Sequence, residues 1–147
     1  MIKPIFILLS FVCLSFVGCS HIPSSQEFIG KWVNSDGATL DFNDRGKFQG
    51  KYIADKMLSY FITKDDTSKI FEISGTWKII NIRSKWDQLP WCIKLNINKI
   101  NGLDKVDNIE LLISGSNFLE NKPPWNNLFQ WKGEEGGERY EFKHILR

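Results

Sequence analysis

The sequence predicts an all-β domain, an up-and-down antiparallel β-barrel of about eight strands that follows a cleaved signal peptide. From Phe28 onward, short alternations of apolar and polar residues have the period of half-buried strands. Turn signals such as Asp36-Gly37 and Asn101-Gly102 separate these segments. Neither the strand–helix alternation of a parallel sheet nor a long amphipathic pattern occurs in the sequence. A closed barrel removes aggregation-prone strand edges, although a β-sandwich is typical of the same pattern.

Each predicted strand has its apolar residues on one face. The segments are 28–33, 38–42, 48–52, 71–79, 93–97, 109–113, 129–131 and 140–142. Residues 57–63 fit either a strand or one helical turn. Gly75 lies in the middle of the longest segment and indicates a bend or bulge. With about eight strands the interior is narrow, and it is either filled by side chains or holds one small ligand.

The N-terminal residues 1–18 have the parts of a secretory signal. Lys3 supplies a positive charge, and an apolar run too short to span a bilayer as a mature helix follows it. The run Leu14–Cys19 resembles the lipobox of bacterial lipoproteins, with Phe16 where that family usually has Leu, Val or Ile. This resemblance implies cleavage before Cys19, whose sulfur then receives a diacylglycerol. The alternative is an ordinary signal peptide that ends near a cysteine.

The lipoprotein interpretation divides the chain into a signal peptide (1–18), a lipidated cysteine with a polar tether (19–27) and one barrel domain (28–147). Acyl chains bind a membrane with about 0.8 kcal/mol per buried methylene, so the membrane is an expected partner. Ser20 after the cysteine resembles sorting to the outer membrane, facing the periplasm, if the cell is Gram-negative. The expected location is therefore the cell envelope. Cys92 would be the one unmodified cysteine, which excludes an intramolecular disulfide.

Charge and motif content restrict the function classes. The chain has 19 basic and 17 acidic residues, a balance that disfavours electrostatic binding of nucleic acid. No Ser/His/Asp spacing, HExxH, phosphate loop or CxxC occurs in the sequence, so we expect a non-enzymatic protein without a cofactor. The segment Asp41–Gly46 is faintly similar to a calcium loop, but Arg45 occupies a ligand position. We therefore expect no metal site.

Gly30-Lys31-Trp32 opens the first predicted strand and resembles the G-x-W signature of the calycins, which include lipocalins, fatty-acid-binding proteins and avidins. In that group the Trp closes one end of the barrel. Ser74–Trp77 resembles a second such element, and Gly133–Phe142 is similar to the closing motif of an uncharacterised family of small secreted bacterial lipoproteins. The resemblance implies a calycin-like barrel but no particular activity.

The first predicted hairpin also resembles that of avidin. Gly30–Asn34 and Arg45–Tyr52 carry the similarity, which places Asn34 and Tyr52 where avidin contacts biotin. Two hydroxyl-bearing positions of avidin are Ala38 and Ala54 here. Because each unpaired polar group of a buried ligand costs about 1–3 kcal/mol, we do not expect tight binding of biotin itself.

Two functional hypotheses follow. The first is a binding module for a small apolar or aromatic ligand, motivated by the calycin-like signature and the aromatic residues with the phase of a core. Its candidate ligand-binding residues are Trp32, Asn34, Tyr52, Trp77 and Trp131. The second is an envelope protein-interaction module, such as an inhibitor or immunity-type factor, because large rigid rings in loops make good anchors. Its candidate surface consists of Trp86, Trp91 and Trp125.

Overall fold

The computed structural model describes residues 21–82, 89–133 and 137–145, so the predicted signal peptide and Cys19 lie outside the described residues. The described residues form eight strands: β1 Gly30–Asn34, β2 Thr39–Phe42, β3 Lys47–Ala54, β4 Ile70–Asn81, β5 Trp91–Ile100, β6 Leu103–Ser114, β7 Asn127–Trp131 and β8 Arg139–His144. Each strand pairs antiparallel with the next, and β1 pairs with β8. The predicted closed up-and-down barrel is confirmed.

The two ends of the barrel differ in what covers them. We call the end with the N-terminal segment 21–29 and the turn 43–46 the base. The opposite end, with the turn 35–38, is the mouth. It carries the connection between β3 and β4, residues 55–69, which we call the cap. In an up-and-down barrel successive connections alternate between the ends, so the positions of all other turns follow from this assignment.

Side-chain capping fixes the hairpin between β1 and β2. The Asn34 Oδ1 accepts hydrogen bonds from the backbone amides of Asp36 (2.9 Å) and Ala38 (2.8 Å). Gly37 supplies the positive φ that this turn requires, as its Asp-Gly sequence predicts. Asn43 repeats the arrangement in the turn between β2 and β3. The two capped turns set the register in which the barrel begins.

The cap is helical rather than a strand, which decides between the two structures that the sequence left open for 57–63. It contains a 3₁₀ turn at Asp55–Met57 and a short helix α1 at Tyr60–Thr63. Met57 and Leu58 are buried against the main core. The Ser59 amide donates to Asp107 Oδ2 at 2.8 Å, which ties the cap to β6 across the mouth.

Large side chains fill the barrel interior. Its main cluster includes several aromatic residues with 2% exposure or less: Phe28, Trp32, Phe42, Phe48, Phe71 and Phe142. A second cluster lies on the outer face of β5, β6 and β7 and consists of Leu89, Cys92, Leu112 and Phe129, with Trp131 packed against it. The expectation that Phe129 and Trp131 face the main core is wrong. Leu128 occupies that core instead, because neighbouring residues of a strand face opposite sides.

Three irregularities interrupt the strand pairing, one of them between Ile97 and Lys99 in β5. The register between β4 and β5 shifts between Ser74 and Gly75, which confirms the irregularity that Gly75 predicts. The third shift lies between Gly50 and Ile53 in β3, where Tyr52 has a φ of +57°. This bulge turns Tyr52 outward, with 60% of its surface exposed, and places Ile53 in the core. The expectation that Tyr52 shares a face with Phe48 is therefore wrong.

Candidate functional site at the barrel mouth

A depression of about 370 Å³ lies on the rim of the mouth, between the β1–β2 hairpin and the ends of β3 and β4. It is lined by Asn34, Asp36, Gly37, Tyr52, Ala54 and Ile70. Its volume is near the lower end of the range of small-molecule sites. Of the five predicted ligand-binding residues, the structure brings Asn34 and Tyr52 together here.

The bulge in β3 creates the aromatic wall of this depression. With regular alternation the Tyr52 ring would enter the core, whereas the positive φ places it at the rim. Ile70, the register partner of Ala54, is also more than half exposed. An exposed ring beside an exposed aliphatic side chain suits an apolar or aromatic ligand, because both lose water when such a ligand covers them.

Polar groups of the mouth lie close to this wall. The Asn34 Oδ1 already accepts two backbone hydrogen bonds, so it serves the turn. Burial raises the pKa of Tyr140, and the carboxylates of Asp55, Asp36 and Glu138 raise it further. The Lys132 Nζ lies 4.4 Å from the centre of the Tyr140 ring. Tyr140 therefore remains a neutral phenol at the mouth end, near three carboxylates.

Gln130 adds an unused acceptor to the mouth. It is the register partner of Tyr140 across β7 and β8. Its Oε1 is buried and has no hydrogen-bond partner among the described residues. A buried acceptor without a donor costs roughly 1–3 kcal/mol, which a ligand or water that donates a hydrogen bond would offset. Sequence reasoning missed Gln130 because a single glutamine in a strand has no distinguishing pattern.

Trp32 and Trp77 lie away from the mouth, and their indole groups take part in packing. The Trp32 Nε1 donates to the carbonyl of Phe28 at 2.9 Å, and its ring stacks on His144 with centroids 4.4 Å apart. The Trp77 Nε1 donates to the carbonyl of Asn43 at 3.3 Å. Trp32 thus closes the base, as the G-x-W resemblance implies.

Trp131 and the loop tryptophans also lie outside the mouth depression. Trp131 packs edge-on against Phe129 on the outer face of the barrel. Trp91 is half-buried at the base, and Trp125 is buried there with its ring centroid 6.2 Å from that of His21. Trp86 lies outside the described residues. Among the three predicted interaction residues, those described therefore offer little free ring surface.

The most exposed aromatic residues are instead on the cap. Tyr60 and Phe61 are 72% and 80% exposed, with ring centroids 6.1 Å apart. The bond from Ser59 to Asp107 places α1 beside β6, where Val106 is 78% exposed. No sequence pattern marked these residues, because a four-residue helix is too short to show a periodic apolar face.

Neither a reactive thiol nor a metal-binding group occurs among the described residues. Burial raises the pKa of the Cys92 thiol to about 12, so the thiol is protonated and inert at neutral pH. Among the described residues no group of His, Cys, Asp and Glu side chains is arranged to hold a metal ion. The same part of the chain contains no helix long and apolar enough to cross a membrane.

No protein-family model, curated protein or solved structure matches this chain. The assignment of the fold as a barrel therefore depends on the strand order and register of this structure alone. The similarity to calycins consists of the local motifs and an architecture that calycins share.

Proposed function

We propose that this protein is a membrane-anchored envelope lipoprotein whose barrel binds a small apolar or aromatic ligand without catalysing a reaction. The mouth depression is the observation that carries this proposal. Because aromatic and aliphatic side chains occupy the interior, the ligand binds at the rim of the mouth rather than deep inside the barrel. Anchoring is proposed at Cys19, on the strength of its similarity to a lipobox.

The lining of the depression defines the class of ligand. A planar apolar group stacks on Tyr52 and covers Ile70. The Asp36 carboxylate on the same rim accepts a hydrogen bond from a hydroxyl or amine at the edge of the ligand. The preferred ligand is therefore a small ring system with one donor group.

The ligand test compares two exposed tyrosines of the mouth end. Full-length protein is purified from whole cells, and its bound small molecules are identified by native mass spectrometry. We expect a small apolar molecule to accompany the wild type and the Tyr60→Ala control, and its occupancy to fall at least tenfold in Tyr52→Ala. Equal occupancy in both variants, or an empty wild type, would contradict the proposal.

Anchoring is tested separately with Cys19→Ser. This variant lacks the sulfur that would carry the lipid, so we expect it in the soluble fraction while the wild type sediments with membranes. If both variants fractionate alike, Cys19 is not the anchor. The ligand test is unaffected by that result, since the mouth depression does not involve residue 19.

The cap favours a second candidate function, an envelope protein-interaction module. Its specific support is the pair of exposed rings of Tyr60 and Phe61, whose centroids are 6.1 Å apart. Chemical crosslinking in the envelope tests it, with Phe61→Ala compared with Thr63→Ala on the same helix. Loss of a crosslinked partner in Phe61→Ala alone would favour this function, and equal crosslinking would exclude this surface.

A further inference from the structure

Two adjoining depressions surround the N-terminal segment at the base of the barrel, with volumes of about 570 and 560 Å³. Both are lined by Gln26, Ile29 and Asp44, so they form one continuous concave surface. Their apolar residues are Ile22, Pro23, Ile29, Phe42, Trp77, Ile79, Trp91 and Ile145. Ile22 and Ile145 are 65% and 48% exposed, and each lines a different one of the two depressions.

The N-terminal segment is held against the barrel from the first described residue. The His21 Nε2 lies 3.3 Å from Glu27 Oε1, and the His21 ring is near that of Trp125. Pro23 is buried, and the Ser24 amide donates to Glu27 Oε2 at 2.8 Å. This part of the expected tether therefore does not act as a free spacer.

Little chain remains between this fixed segment and the proposed anchor. Two residues span at most about 7 Å, so Cys19 lies within that distance of His21. An acyl chain on Cys19 would not remain in the base depressions, because they are open to water. Its methylenes are more favourable in the bilayer than in contact with water.

We infer that the base of the barrel rests on the bilayer surface, with the exposed side chains of Ile22 and Ile145 in its interfacial layer and the mouth directed away from the membrane. This inference rests on the proposed anchoring at Cys19. Aromatic and aliphatic side chains are favourable at the membrane interface, where their apolar parts leave water. The mouth depression and the exposed face of α1 are then presented to the aqueous side.

The contact depends on apolar residues more than on charge. Lys31 and Lys78 line the base depressions, and so do Asp41 and Asp44. Because these charges balance, the base has no marked preference for anionic lipid. Vesicles of zwitterionic phosphatidylcholine are therefore the appropriate test membrane.

Depth-dependent quenching tests the orientation in the full-length lipoprotein. Single cysteines are introduced as Ile22→Cys and Ile145→Cys at the base and Phe61→Cys at the mouth, and each is labelled with a nitrobenzoxadiazole dye. Cys92 does not interfere, because its buried thiol stays protonated at the labelling pH. With spin-labelled lipid in the vesicles, we expect quenching at residues 22 and 145 to be at least threefold stronger than at residue 61.

The outcomes separate the inference from the anchoring. If the protein is bound to vesicles but all three positions are quenched equally, or residue 61 more strongly, the orientation is wrong and the anchoring stands. If the protein remains in the aqueous fraction, both fail. Iodide added outside the vesicles measures the exposure of each dye to water independently. We expect it to quench the dye at residue 61 more strongly than the dyes at residues 22 and 145. Circular dichroism of each labelled variant checks that the barrel is intact.

Discussion

Replacing Gly75 by alanine should damage the barrel more than any other glycine substitution whose surroundings are described. A Cβ at Gly75 would lie 1.9 Å from the Asn96 backbone oxygen and 3.1 Å from Ile97 Cα. Since a Cβ is essentially never closer than 3.0 Å to another atom, β4 and β5 must separate locally by about 1.1 Å. A backbone hydrogen bond of ordinary length, stretched by that amount, is no longer a bond.

The expected loss in the free energy of unfolding follows from the number of backbone hydrogen bonds that break between β4 and β5. Loss of two ladder bonds, at about 1–3 kcal/mol for each buried group left without a partner, gives roughly 2–6 kcal/mol. That is a large fraction of the ~5–15 kcal/mol by which a domain is typically stable.

Urea denaturation followed by circular dichroism measures this loss of stability in Gly75→Ala. The control is Gly102→Ala, where φ is +76° and no atom lies within 4 Å of the added Cβ, so only the conformational cost of about 1 kcal/mol applies. A Gly75→Ala variant no less stable than this control would refute the reasoning.

Three further predictions concern the base, the outer cluster and the cap. Trp32→Ala should destabilise by about 3–5 kcal/mol, because it empties a buried site. Trp32→Phe should keep most of the stacking and cost less, as urea denaturation would measure. For Cys92, the unfolded thiol ionises above about pH 9 and the native thiol only near pH 12. The unfolded state thus binds fewer protons in that interval, and stability falls as pH rises. The free energy of unfolding of the wild type should therefore fall relative to Cys92→Ala between pH 9 and 12, and a constant difference would contradict this. Asp107→Ala removes the acceptor of the Ser59 amide, so hydrogen exchange at Ser59 should accelerate several-fold in mass spectrometry while β5 amides are unchanged.

The topology could be predicted because its signals are local. The turns at Asp36-Gly37 and Asn101-Gly102, separated by alternating segments, determine an antiparallel order with short connections. Gly75 marked a bulge for a reason that the structure makes explicit, since no side chain fits beside Asn96. Each of these inferences depends on neighbouring residues along the chain, which a sequence displays directly.

The candidate site could be predicted only in part. Alternation places Tyr52 inside the barrel, but the bulge that turns it outward results from how β3 meets β4, a contact between residues distant in sequence. The same limit applies to Trp131. Its spacing suits a core, yet whether Leu128 or Phe129 faces inward depends on the register with β6 and β8. Exposure of Tyr60 and Phe61 depends on how the cap crosses the mouth.

A barrel whose interior is filled can bind only at its ends or on its outer face. Here the two ends are distinct in character. The base carries the N-terminal segment and the stack of Trp32 on His144. These two rings pack against each other and close the base, so they are not free to contact a ligand. At the mouth, the bulge and the cap leave Tyr52 and Phe61 exposed. With the anchoring proposed at Cys19, two residues before His21, a ligand or partner arriving from the aqueous side would meet the mouth first. Packing and the bulge in β3, together with the proposed anchoring, thus favour the mouth as the functional end.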